Sequence, residues 1–206
     1  MPDERNPYAA TEVPLDVRGS QVSNAFASNE VEYGGFWRRF GAVFLDGLIL
    51  LPITLLAFFG LGFSRLYYFY YFVPGLIFTA FYYMYLVMRN GATPGKRILN
   101  MRIVMVDGAP VTPKAAILRN VVEWAFGAGS TLALGLAGLS VTDAEFGPLG
   151  YLQKVQLLSA HAPKWNMLAA YGVYAWFAAG ALVMLSNPKR RGVHDFLAGT
   201  VVIRTD

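Results

Sequence analysis

The chain has 206 residues, of which 55% are hydrophobic, 15% aromatic and only 15% charged, with a net charge of +4. A soluble domain carries roughly 25% charged residues, whereas the apolar residues here gather into runs long enough to cross the roughly 30 Å hydrocarbon layer, which excludes an ordinary soluble fold and points to one membrane domain. The absence of cysteine excludes disulfides, iron–sulfur clusters and thiol catalysis, and the basic residues sit at the ends of apolar runs, so the positive charge speaks for membrane topology and against a nucleic-acid partner.

Residues 1–34 include Pro2, Asn6, Pro7, Pro14 and Gly19 among scattered acids. Their low apolar content predicts a disordered cytoplasmic tail. The tail lacks the short apolar core and cleavage site of a signal peptide, so the first span is expected to serve as the targeting signal.

The first span, about 38–63, follows Arg38 and Arg39 and is interrupted by one charge, Asp46. After a tight connection through Gly62, Ser64 and Arg65, the second span covers about 66–88. It carries Tyr67, Tyr68, Tyr70 and Tyr71 at one end and Tyr82, Tyr83 and Tyr85 at the other. Aromatic belts at the two membrane interfaces account for that spacing, with an aromatic-lined substrate path as the alternative. Pro74 and Gly75 lie in mid-span, where a kink is tolerated if neighbouring helices satisfy the freed carbonyl.

Residues 89–112 are polar and basic, and within them MRIVMV runs into Asp107-Gly108, the pattern of a strand closing into a tight turn. A second short strand is expected over 198–204. Paired together, the two strands tie the C-terminus to the central loop and shield two edges. Pro113 opens a helical stretch leading into a third span at about 120–141, rich in Gly and Ala and therefore suited to close packing inside the bundle. Residues 142–164 form a polar loop with a weakly amphipathic piece around Leu149, Leu152, Val155 and Gln156, expected on the outer membrane surface. The last span, about 165–185, runs directly into Asn187-Pro188-Lys189-Arg190-Arg191.

The expected fold is an all-α integral membrane protein, a four-span helical bundle over 35–206 with a small cytoplasmic β element. Arg38, Arg39, Arg89, Lys96, Arg97, Arg102, Lys114, Arg119, Lys189, Arg190, Arg191 and Arg204 fall on one side of this arrangement, against Arg65, Lys154 and Lys164 on the other. By the positive-inside rule the rich side is cytoplasmic, which puts both termini in the cytoplasm of a bacterial cell with the chain in its inner membrane.

Asp46 is the most informative residue. A carboxylate about two turns into an apolar span costs at least roughly 2.5–3.5 kcal/mol, so it must find a partner, a wet cavity or a proton. It is a functional-site candidate, or else a pin between helices. Arg39 lies on the same face but about 10 Å away along the axis, with its side chain leaning the other way. Each residue therefore needs a partner on another element, and Asp195, Glu123 and Arg119 are the candidates. Arg119 precedes Glu123 by one turn, the weaker order for a helical pair; Asn120 and Glu123 are alternatively placed to line a polar path with Asp46. His194 beside Asp195 is a candidate pH-sensitive pair, or a simple solvated loop histidine. The stretch Gly91-Ala92-Thr93-Pro94-Gly95-Lys96-Arg97 superficially resembles a phosphate loop, but its spacing is one residue short and no Ser or Thr follows the lysine. A turn presenting Lys96 and Arg97 to lipid phosphates is the better reading. No spacing suits a metal site or a nucleophile, so neither a cofactor nor an enzymatic activity is expected.

Three stretches, GFWRRFGAVFLDGLIL with Arg39 and Asp46, GATPGKRILNMRIVMVDG, and RRGVHDFLAGTVVI with Asp195, resemble the RDD family of small prokaryotic membrane proteins, named for one arginine and two aspartates. The resemblance covers 35–204 and departs at Pro94, where the family pattern has leucine or a similar residue. It implies a small helical membrane domain. Some members are proposed to exchange monovalent cations for protons, which implies a transporter or antiporter subunit in which Asp46 alternately holds a cation and a proton. The competing expectation is an accessory or assembly protein whose buried charges serve helix packing and partner choice. Transporters need several polar groups at mid-membrane depth; besides Asp46 there are Thr54, Thr79, Ser130 and Thr131. Four spans are few for alternating access, so a homo-oligomer or a membrane-protein partner is expected.

Overall fold

The computed structural model describes residues 31–205; the expected tail therefore lies outside the described residues up to position 30. Among the described residues, four helices are long and apolar enough to cross a membrane. Helix α1 is Phe36–Phe63. Helix α2, Tyr67–Ala80, continues through a π turn, Phe81–Tyr85, into α3, Leu86–Asn90. A short α4, Pro94–Ile98, leads into strand β1, Met101–Met105. Helix α5, Pro113–Ser140, is followed by two short helices, α6, Asp143–Phe146, and α7, Tyr151–His161. Helix α8 is Trp165–Ser186, and the chain ends with α9, Val193–Ala198, and β2, Thr200–Arg204.

The sheet is the pair expected from the sequence. Strands β1 and β2 run antiparallel with Met101 opposite Arg204 and Met105 opposite Thr200. The free edge of β2 is covered by the segment before α1, where Tyr33 bridges Ile203 and the Gly34 N–H donates to the Val202 carbonyl at 2.9 Å. An exposed edge is a pairing hazard, and the chain closes this one with its own backbone.

Local chemistry sets the helix ends. Thr112 caps α5 by accepting the Ala115 N–H at 3.2 Å, and Pro113, whose missing N–H has no intrahelical partner to lose, sits in the first turn. The helix thus starts seven residues before the expected apolar span, which brings Arg119 and Asn120 into buried positions near the sheet. Neither Pro52 nor Pro74 interrupts its helix. The break in regularity falls instead at the π turn, where the extra residue rotates the following face.

Tight packing is concentrated at the two ends of the bundle. At the sheet end, Ala42, Val87, Met101, Ile103, Ala116 and Val202 form one core; at the opposite end Leu61, Ala137, Val141, Phe146 and Leu158 form another. The polar loop expected over 142–164 thus folds into α6 and α7, and Leu158 of α7 is fully buried. That end is closed by cations on carbonyls: Lys154 Nζ donates to the Gly62 carbonyl at 2.7 Å, and Arg65 donates to the Gly138 carbonyl at 2.6 Å. Helix α1 buries only Arg39, Ala42 and Asp46 near its start and Leu61 near its finish. Its middle, with Leu51, Ile53, Leu55 and Leu56, faces outward, as suits a helix solvated by lipid.

Candidate functional site

At the sheet end, Asp195 is fully buried and receives two guanidinium groups. Arg39 Nη1 donates to Oδ2 at 2.6 Å, and Arg119 Nη1 donates to Oδ1. Further hydrogen bonds tie the cluster together. Arg39 reaches the Gly34 carbonyl at 2.9 Å and the Arg190 carbonyl at 2.7 Å, Arg119 reaches Thr200 at 2.7 Å, and the Gly192 N–H donates to Asp195 at 2.9 Å. One carboxylate therefore joins α1, α5, α9 and β2. Burial alone would raise the Asp195 carboxyl, but Arg119 and Arg39 outweigh it and hold it far below the usual carboxylate range. His194 Nε2 lies 3.7 Å from Asp195. Burial, reinforced by Arg119, pushes its imidazole down to about 3 despite that carboxylate. The ring is neutral at neutral pH, and the His194–Asp195 pair does not titrate there.

Asp46 does not share this cluster. Its carboxylate accepts the Tyr82 hydroxyl at 2.6 Å, the Thr93 hydroxyl at 2.7 Å and the Gly95 N–H at 2.7 Å. None of Asp195, Glu123 and Arg119 is its hydrogen-bond partner. The π turn places Tyr82, and the Gly-Ala-Thr-Pro-Gly stretch brings Thr93 and Gly95 against α1. Pro94 opens α4, a position that its fixed φ suits. Three donors on one carboxyl group make Asp46 a lock between α1 and the turn after α3.

Glu123 has a different setting. Between α2 and α5 lies a cavity of about 310 Å³ with Glu123, Asn120, Tyr83, Thr79 and Thr131 among its polar lining. Tyr71, Phe72 and Trp124 are among its other lining residues. Along α5 the lining runs from Asn120 to Thr131, about 16 Å of helix. The other polar side chains are tied to backbone. Thr79 donates to the Gly75 carbonyl at 2.7 Å, Thr131 to the Gly127 carbonyl at 2.9 Å, and Asn120 to the Ala116 carbonyl at 2.8 Å. Glu123 is half-buried and within electrostatic reach of Arg119 and Lys96, with the Trp176 indole beside it. The indole N–H of Trp124 is buried and finds no acceptor, at a cost of roughly 1–3 kcal/mol, whereas the Trp176 indole N–H is directed at the Glu123 carboxyl.

Lys96 is half-buried, within electrostatic reach of Arg119, Asp46, Arg39 and Asp195, whereas Arg97 is exposed. Tyr83 lies within reach of both Asp46 and Glu123. Lys96 and Tyr83 thus connect three carboxylates that their direct hydrogen bonds keep apart. Thr54 merely bonds its own helix at Leu50, and Ser130 holds Asn166 at 2.9 Å. Sequence reasoning missed Tyr82, Thr93 and Gly95 as the partners of Asp46. The available signal was the need of a buried carboxylate for donors close to its own depth, and the tyrosines at the sheet end of the second span supplied one.

A family model described as RDD family matches residues 33–199. No curated protein and no solved structure matches the chain. With the matched region spanning all four candidate membrane helices, and with Arg39, Asp46 and Asp195 all inside it, the chain belongs to the RDD family.

Proposed function

We propose that this membrane protein exchanges monovalent cations for protons, as a transporter or antiporter subunit, and that Glu123 in the cavity between α2 and α5 is the group for which cation and proton compete. The observation that carries this reading is the contrast between the carboxylates. Asp46 and Asp195 have their oxygens filled by protein donors, whereas Glu123 lines a cavity large enough to admit a ligand. Exchange thereby moves from the expected Asp46 to Glu123, one turn beyond Arg119 on the same helix. A cation entering beside a protonated Glu123 favours loss of that proton.

In the same reading the sheet end faces the cytoplasm, because the basic residues collect there, and the chain sits in the bacterial inner membrane with both termini inside. Arg97 is placed to meet lipid phosphates. Four spans suffice only if copies or a membrane-protein partner complete the pathway, and no catalytic chemistry is assigned. A second reading, an accessory or assembly protein, draws support from how completely the Asp195 and Asp46 clusters are satisfied. Proteoliposomes holding an internal pH dye separate the two. Sodium or potassium pulses drive proton movement through the native chain under the transport reading; absence of cation-driven movement through well-folded protein favours the accessory role.

A further inference from the structure

We propose that the cation is held at the sheet-end half of the cavity by three groups: the Glu123 carboxylate, the Asn120 side-chain carbonyl and the Thr79 hydroxyl. This rests on the exchange reading and names the oxygens beside Glu123 that receive the ion. All three residues line the cavity. Asn120 precedes Glu123 by three residues on α5, which puts the two on one face and about 4.5 Å apart along the axis. Thr79 belongs to the opposite wall, on α2. The two helices run in opposite directions, since a Cβ at Gly135 would meet the Phe69 backbone at 3.2 Å while Asn120 reaches the Tyr83 carbonyl. That register brings Thr79 level with the turn of α5 that begins at Glu123.

The hydrogen bonds around these groups leave their oxygens as acceptors. Both hydrogens of the Asn120 amide are engaged, because Nδ2 donates to the Ala116 carbonyl at 2.8 Å and to the Tyr83 carbonyl at 3.3 Å. The Thr79 hydroxyl directs its single hydrogen to the Gly75 carbonyl at 2.7 Å, which leaves its lone pairs to a ligand. Among the described residues, neither of these two oxygens accepts a hydrogen bond. Glu123 has the Trp176 indole N–H directed at it, one donor for a group that can accept about four. The Trp124 indole N–H, also from the lining, is buried and donates to none of them.

Acceptors gathered without donors in a poorly solvated site repel one another, and a cation relieves that repulsion. A monovalent ion that sheds water needs oxygens to replace its hydration shell, and carbonyl, hydroxyl and carboxylate oxygens serve that purpose. One proton leaves Glu123 as one cation enters, so charge is conserved.

The test is saturable binding of radiolabelled sodium, and of rubidium standing for potassium, to the full chain in nanodiscs, with a melting profile for each variant. The native chain is expected to bind at least one of these ions at one site per chain. Thr79→Val keeps the shape of the side chain and removes its oxygen, and Asn120→Leu does the same for the amide. Each is expected to weaken binding by about tenfold or more, the size of one lost interaction with a charged group. Thr79→Ser, which restores the hydroxyl, is expected to recover most of the affinity. Thr54→Val removes a similar bond to its own helix, at the Leu50 carbonyl of α1, away from the cavity, and is expected to bind as the native chain does. Unchanged binding in folded Thr79→Val, or no recovery in Thr79→Ser, overturns the ligand set, whatever Asn120→Leu does to the melting temperature. A native chain that binds neither ion overturns it as well, since water alone then satisfies these oxygens. Cation-driven proton flux with unchanged half-saturation in both variants sinks the ligand set and leaves exchange standing. Cation binding that depends on Thr79, in a chain that moves no protons, keeps the ligands and sinks exchange.

Discussion

The Asp46 carboxylate accepts the Gly95 N–H at 2.7 Å, at a point where α4 and α1 are too close for any larger residue. A Cβ at position 95 would stand 2.3 Å from the Ala42 carbonyl oxygen and 2.8 Å from the Asp46 carboxyl. Gly95→Ala is therefore expected to push α4 away from α1 and to lower the melting temperature strongly. Gly47→Ala, in open space on the same helix as Asp46, is expected to be neutral or mildly stabilising, by up to about 1 kcal/mol from helix propensity. Equal melting temperatures for the two alanine variants would contradict the lock.

Removing the Asp195 charge leaves two buried guanidinium groups facing each other. Asp195→Asn is expected to cost about 3–5 kcal/mol, the usual consequence of breaking a buried pair from one side. The readout is folded yield and melting temperature in detergent. A variant as stable as the native chain would mean that the cluster contributes little.

Acid should destabilise the protein through His194 before it reaches Asp195. The folded imidazole is held at about 3 against an ordinary value of 6.5, so the unfolded chain binds more protons between those values and stability falls as pH drops from 6.5. The slope from one such group is at most about 1.4 kcal/mol per pH unit. Asp195 has a depressed folded value, so its contribution is intact above its ordinary 3.8 and declines only below that. His194→Gln is expected to flatten the melting-temperature profile between pH 6.5 and 4; an unchanged profile would rule the histidine out.

Orientation can be read with single cysteines, because the native chain has none. Ser159 and Thr205 are exposed, on α7 at one end of the bundle and just beyond β2 at the other. With the sheet end in the cytoplasm, Ser159→Cys should react with an impermeant maleimide on intact cells, and Thr205→Cys only after permeabilisation. The reverse pattern would invert the topology.

Much of this architecture was legible in the sequence because lipid imposes simple rules. Run length located the spans, the start of the third excepted, where Pro113 opens the helix seven residues early; two short apolar stretches, one closing into Asp107-Gly108 and one at the far end of the chain, located the sheet; and helix geometry directed Arg39 toward Asp195 and away from Asp46. The partners of Asp46 were harder to read, since one depends on a π turn that no periodicity announces and another is a backbone N–H. Tyrosines expected at the interfaces are also used inside, Tyr82 on Asp46 and Tyr71 and Tyr83 on the cavity, because a ring near the headgroups can turn either way. The cavity itself depends on how α2 and α5 pack, and that distance is written in no single segment.

The division of labour among the carboxylates is decided most directly by proton flux in proteoliposomes, comparing Glu123→Gln with Asp46→Asn at matched folded content. Cation pulses should move protons through the native protein and through Asp46→Asn to the extent that its lock holds the fold, while Glu123→Gln, equally folded, moves none. Native-level flux through Glu123→Gln, or its loss in a well-folded Asp46→Asn alone, would contradict the assignment of exchange to the cavity.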